Sequence, residues 1–128
     1  RNAMRLDEMF EQLIIPLRDR LSIDLEADHA EETVSEYRRH LYYFENIDII
    51  ILEGIFLFKR EYIKHFDLKV WGECPFEKAL ERAVERSQEG LTPDETTKAY
   101  LTTYFPAQTL HFKTDDPKKA SDIIFDNN

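Results

Sequence analysis

With 128 residues, 42% of them aliphatic or aromatic, the chain is long enough for one domain with a modest core and too apolar for a disordered tail. Its 26 acidic residues outnumber 17 Lys and Arg for a net charge of −9, which repels nucleic-acid phosphates and argues against a DNA or RNA binder. A small phosphate ligand stays open, because one pocket needs only a few cations and some backbone N–H groups.

Arg1 to Ala3 read as a vector scar ahead of Met4, so a single domain is expected over residues 4–128. Leu6, Met9, Phe10, Leu13, Ile14 and Leu17 recur at the spacing of one helical face, and Pro16 should kink or end that helix. Ile23 and Leu25 alternate with polar neighbours, which suggests a short strand over 22–25. Residues 26–36 are acidic and irregular and read as a loop that can include a helical turn. Residues 37–43 can form a second strand or a hairpin with 22–25.

The clearest signal is Ile47-Asp48-Ile49-Ile50-Ile51-Leu52, short, continuously apolar and β-branched, as a strand buried on both faces of a parallel sheet would be. Glu53-Gly54 ends it. A short helix over 59–65 and a strand over 67–71 follow. Pro75 opens a helix to Ser87 or Gln88 with Phe76, Ala79, Leu80 and Ala83 inward, and Gly90 is its stop. Thr92-Pro93-Asp94-Glu95 is a capping box with Pro at the first helical position, and Pro106 should bend or interrupt the helix that follows. Asp115-Asp116-Pro117 is a turn, and Ile123-Ile124-Phe125 a last buried strand. Strands separated by helices predict an α/β domain with a parallel sheet.

Open parallel sheets bind ligands beyond the carboxyl ends of their strands. Glu53 stands at such an end. A carboxylate there can hold magnesium carried with a substrate phosphate, or it can cap backbone N–H groups or pair with an arginine. Gly54 permits close approach of a ligand, or is an ordinary turn residue. Arg82 and Arg86, four apart on one helix face, can hold a transferring phosphoryl group. With Glu81 and Glu85 beside them they can equally form a solvated ion-pair face.

His29, His40, His65 and His111 are scattered without metal-ligand spacing, which favours surface or packing roles. Cys74, at a helix start, can have a lowered thiol pKa but lacks a placed base. As the only cysteine it cannot form an internal disulfide, which fits a reducing compartment. No apolar run is long enough to cross a bilayer and no secretory signal is visible, so a cytoplasmic protein without a membrane partner is expected. Tyr42, Tyr43 and Phe44 can stack a base, although packing is the commoner use.

The segment IDIIILEGI at 47–55 resembles the second conserved strand of the uridine kinase and phosphoribulokinase group, in which a Glu-Gly follows an apolar strand. Asp67-Leu68-Lys69-Val70 resembles the next strand of that group, and Leu80, Arg82 and Arg86 its arginine-bearing lid helix. Pro106 and Phe112 resemble the helix after the lid, and Asp122-Ile123-Ile124 the closing strand. The resemblance implies a P-loop NTPase-like three-layer α/β fold. It implies phosphoryl transfer from ATP to an alcohol, with a small-molecule acceptor such as a nucleoside. Glu53 would help hold Mg²⁺, and Arg82 and Arg86 would lie over the ATP phosphates.

The sequence has no G-x-x-x-x-G-K-[ST], and its only glycines are Gly54, Gly72 and Gly90. The resemblance therefore corresponds to the C-terminal portion of such a kinase, truncated at the N-terminus and inactive as isolated, with neither ATP nor magnesium bound tightly. In this fold family the strand leading into the phosphate loop lies between those resembling 47–52 and 68–71. Its absence predicts that the gap is closed by strand pairing or by a homo-oligomer. The competing expectation is a non-catalytic α/β module that uses the same scaffold for binding or regulation.

Overall fold

A computed structural model of the chain describes residues 6–29, 38–87 and 90–128. The chain divides into two compact units, Arg1–Glu53 and Gly54–Asn128.

In the first unit the apolar stripe folds as expected, with Leu6, Phe10, Ile14 and Leu17 buried. The helix is not interrupted at Pro16. α1 (Leu6–Glu8) runs through a π-helical segment, Met9–Ile14, into α2 (Ile15–Arg20). Proline cannot donate to the carbonyl four residues back, and its ring crowds that carbonyl. The turn ahead of it widens instead, so that the Ile15 N–H reaches the Phe10 carbonyl five residues back. Leu21, with φ of 60°, ends the helix, and its N–H bonds the Leu17 carbonyl.

β1 (Ile23–His29) and β2 (Arg38–Phe44) form an antiparallel pair in the register Ile23↔Phe44 to His29↔Arg38. The hairpin expected between these segments is present and longer than its alternation suggests. Part of the expected loop over 26–36 is strand, and residues 30–37 lie outside the described residues. Asn46, in the left-handed region with φ of 50°, turns the chain out of the hairpin, and its N–H bonds Ser22 Oγ.

The expected buried strand at 47–52 is corrected. Beyond the bond from the Ile47 N–H to the Leu21 carbonyl, the segment joins no ladder among the described residues. Ile49 and Ile51 are 78% and 89% exposed. Apolar, β-branched composition makes a strand possible, but only pairing with another strand makes one, and this segment pairs with none among the described residues.

The second unit holds a small parallel sheet. β3 (Val70–Glu73) pairs with β4 (Ile123–Asp126) in the register Val70↔Ile123 to Glu73↔Asp126. β3 starts three residues later than its sequence signal. Its entrance is fixed by Lys69, whose N–H bonds Asp122 Oδ2 at 2.8 Å and whose carbonyl accepts from the Asp122 and Ile123 N–H groups. β4 is not the buried strand expected, since Ile123, Ile124 and Phe125 are all exposed.

α3 (Phe76–Arg86) follows, with Pro75 as its cap and Ala83 buried on the predicted inner face. Ser87, at φ of 46°, ends it ahead of the expected Gly90 stop. α4 (Pro93–Ala99) starts with the predicted capping box, Thr92 and Glu95 bonding each other's backbone N–H. The second internal proline is absorbed like the first. A π-helical segment, Tyr100–Tyr104, precedes α5 (Phe105–Asp115), and the Phe105 N–H reaches back five residues to the Tyr100 carbonyl. The expected helix over 59–65 reduces to a 3₁₀ turn, Ile63–His65.

α5 packs on one side of the sheet through Trp71 and Phe112, whose rings meet edge to face at 5.2 Å. Phe105 and Phe76 stack at 4.2 Å with an interplanar angle of 9°, joining α5 to α3. The chain is thus mixed α/β with a two-stranded parallel sheet. No helix among the described residues is long and apolar enough to cross a membrane.

Candidate functional site

The carboxyl ends of β3 and β4 are the natural place to look for chemistry, because parallel strands aim their unpaired carbonyl ends and following loops there. α3 begins three residues after β3, so its second turn brings Arg82 back over the strand ends. The Arg82 guanidinium Nη1 donates to the carbonyl of Asn127, just past β4, at 2.8 Å. The same nitrogen lies 3.7 Å from Sγ of Cys74, just past β3. One guanidinium therefore touches the residue after each parallel strand, and it is half-buried while doing so.

A second cation meets the same strand ends. Lys118 Nζ sits 2.7 Å from Glu73 Oε2, which also accepts from Trp71 Nε1 at 2.9 Å. The Lys118 and Trp71 hydrogen bonds hold the Glu73 carboxyl below its ordinary value. Sequence reasoning missed this cluster, because its members are brought together by the β3–β4 register rather than by local spacing.

Arg86 is exposed, with no hydrogen bond or ion pair among the described residues. The two arginines share a helix and differ in surroundings, since Arg82 is fixed at the sheet end and Arg86 stands in solvent. Of their acidic neighbours, Glu81 pairs with Lys78 at 2.7 Å, an ion pair within α3 that lowers the Glu81 pKa.

Glu53 closes the first unit and is exposed, so its carboxylate has no burial cost to offset. Among the described residues no three His, Cys, Asp or Glu side chains gather into a metal site. A lone solvated carboxylate suits an ion that arrives with its own phosphate oxygens, not an all-protein cage. Gly54 opens the second unit, and a Cβ built there would lie 3.3 Å from Cγ of the buried Leu57. That close approach explains a glycine at this position without any ligand.

Of the surface and packing roles expected for the histidines, His111 takes the packing one. It is 5% exposed, edge-on to Phe56 at 5.5 Å, and its Nδ1 meets Asp115 Oδ2 at 2.7 Å. The backbone N–H of Arg60 bonds the other Asp115 oxygen at 3.2 Å, and the Arg60 guanidinium donates to the Thr114 carbonyl. Burial works to raise the Asp115 pKa, but the hydrogen bonds from His111 and Arg60 outweigh it and hold the carboxyl below its ordinary value. The cluster pins the turn around Arg60 to the end of α5. Its signal was present as a His and an Asp four apart on one helix.

An open apolar groove of about 530 Å³ is lined by Phe76, Leu101, Phe105 and Leu110, with Lys113 also on its wall. Neither Arg82 nor Arg86 lines it, so the concave surface and the sheet-end cation are separate features. The side chains of His29 and His40 lie outside what the structure describes, and Tyr43 and Phe44 are exposed on the hairpin. No protein-family model matches the chain, and no curated protein matches it.

Proposed function

We propose that the chain is the lid-bearing part of an ATP-dependent small-molecule kinase of the uridine kinase-like, P-loop NTPase-like type. The reaction is transfer of a phosphoryl group to an alcohol acceptor such as a nucleoside. The supporting observation is Arg82, a half-buried guanidinium held on the residue after β4 and beside the residue after β3. Phosphoryl transfer is catalysed chiefly by positioning and charge stabilisation, so a preorganised cation at the sheet end is the part such an enzyme needs.

Within that reading Nη1 of Arg82 is already engaged by Asn127 and Cys74, and the donors on its other two nitrogens serve phosphate oxygens. Arg86, one turn on, closes over the nucleotide from solvent. Glu53 would offer a single oxygen ligand to Mg²⁺, whose charge would offset that of the phosphates. The Gly54 backbone follows directly. Because the sequence contains no phosphate-cradling loop, the 128-residue chain alone does not turn over and holds ATP and Mg²⁺ only weakly.

Titration of the ¹⁵N-labelled chain with Mg–ATP tests this. The expected result is saturable shifts at residues 73–74 and 126–127, with a dissociation constant on the order of 1 mM. Arg82→Ala should weaken it at least about fivefold, the loss of one partly screened charge-assisted hydrogen bond. Tight binding would refute the incompleteness of the nucleotide site, and no saturable shift would refute the kinase reading. A second reading, a non-catalytic module on a kinase-like scaffold, is favoured by the bond that already occupies Arg82, and it predicts the latter result.

A further inference from the structure

A parallel sheet is ordinarily covered on both faces and flanked by further strands. The β3–β4 pair has neither protection complete. Successive side chains alternate between faces, and residues paired in parallel register share one. Trp71 packs under α5, so Val70 and Gly72, with Ile123 and Phe125 opposite them, lie on the other face. That face is open: Val70 and Ile123 are each 49% exposed and Phe125 60%. A Cβ added at Gly72 would meet nothing within 4 Å.

One edge is open as well. The carbonyls of Lys69 and Glu73 accept from Ile123 and Asn127, so the odd-numbered residues of β3 face β4. In a parallel ladder the even-numbered ones, Val70 and Gly72, then turn their N–H and C=O groups to the opposite edge. No other strand of the described residues pairs there. Polar backbone groups on an uncapped, apolar edge are a template for a strand from elsewhere.

The same chain carries an apolar segment without a ladder. Residues 47–52 hold five Ile and Leu and one Asp, and the two exposed apolar side chains, Ile49 and Ile51, alternate as one face of a strand does. We propose that a second copy of this chain docks here, its residues 47–52 adding as a strand to the open edge of β3, and that the exchange is reciprocal. Every copy then uses both its free strand and its free edge, as a closed two-fold dimer requires.

The area is sufficient. A six-residue strand and the surface it covers remove on the order of 800 to 1,000 Å² from water, and two reciprocal strands reach roughly the 1,600 Å² of a standard stable interface. A single strand on a single edge would fall near the lower limit for a specific contact, which is why reciprocity is part of the proposal. The net charge of −9 opposes association. The segment itself brings only Asp48, and its other side chains are apolar. The inference stands on sheet geometry alone and holds whether or not the chain belongs to a kinase.

The test is the solution mass of the whole chain, by sedimentation equilibrium from about 5 to 100 µM at about 0.15 M salt, where long-range charge repulsion is screened. The wild type should be a dimer at the upper concentrations. Ile49→Lys with Ile51→Lys alters side chains already in solvent, so far-UV circular dichroism should be unchanged while the mass falls to that of a monomer. Gly72→Pro removes an N–H directed away from β4 and should also give a monomer. Mixing the two variants should give a one-to-one dimer weaker than that of the wild type, since only one of the two exchanges can form. A wild type that is monomeric at 100 µM overturns the proposal. So does a dimer that survives the double lysine substitution. If the lysine variant is less thermally stable than a monomeric wild type, the segment is used within its own chain, which equally overturns it.

Discussion

Phe105 joins the helices of the second unit, and replacing it by alanine tests that packing quantitatively. The ring is buried, stacks on Phe76 at 4.2 Å and meets Tyr100 edge to face at 5.4 Å. Phe-to-Ala changes at buried sites cost about 3 to 5 kcal/mol, part of it the transfer of the ring and part the cavity left behind. Two aromatic contacts of favourable geometry place Phe105→Ala in the upper half of that range, about 4 kcal/mol.

Trp71, the only tryptophan, lies in the same unit against Phe112, so its fluorescence reports this unit during urea unfolding. With a slope of about 1 to 2 kcal/mol/M for a unit of this size, the midpoint should fall by about 2 to 4 M at unchanged slope. A loss of that size is comparable with the whole stability of a small domain. Phe105→Leu, which retains much of the apolar volume, should therefore be measured beside it and cost less than about 1.5 kcal/mol. A loss under about 1 kcal/mol for the alanine variant would show that the Phe76–Phe105 stack does not hold α3 to α5.

Thr92→Ala removes the side-chain acceptor for the Glu95 N–H and should lower stability by about 1 kcal/mol, seen as a lower thermal midpoint, with Thr92→Ser restoring most of it. Asp115 sets an acid limit. Its carboxyl titrates below the ordinary aspartate value of about 3.9, so the unfolded chain binds the proton more readily. Its contribution is complete above that value and is lost as pH falls through the lower folded one. Urea midpoints should therefore drop as pH falls below the ordinary aspartate value, and Asp115→Asn should flatten part of that drop. An unchanged acid profile in the variant would show that the His111–Asp115–Arg60 cluster carries no such linkage.

Local chemistry was the legible part of this fold. The capping box at Thr92 and Glu95, the inward face of α3 and the stripe from Leu6 to Leu17 are written within a turn or two of sequence, and each is present as read. Both internal prolines were legible as disturbances but not as π-helical turns, because whether a helix breaks or widens depends on what its two halves pack against. Residues 47–52 illustrate the limit most directly. Their composition records a preference for burial and for extended backbone, yet a strand exists only when it pairs with a second edge, and among the described residues this segment pairs with none.

The candidate site follows the same division. Arg82 and Arg86 were legible as a pair on one helical face, but their separation into a guanidinium tied to the strand ends and an exposed one was not. The partner of Arg82 lies 45 residues away, beyond a strand whose register decides it. Glu53 was legible as a carboxylate at the end of an apolar run. That it stands in water instead of at a dry strand end follows from the same missing ladder.

For the proposed activity the sheet-end guanidinium of Arg82 has to be a phosphate ligand. Isothermal calorimetry with Mg–ATP at millimolar concentration, on the wild type and on Arg82→Ala and Arg86→Ala, measures that directly. Weak exchange heat that saturates in the wild type, is nearly abolished by the first substitution and reduced by the second, is the predicted result. Heats that are the same in all three proteins would leave Arg82 as a structural tie between two strand ends and contradict the functional reading.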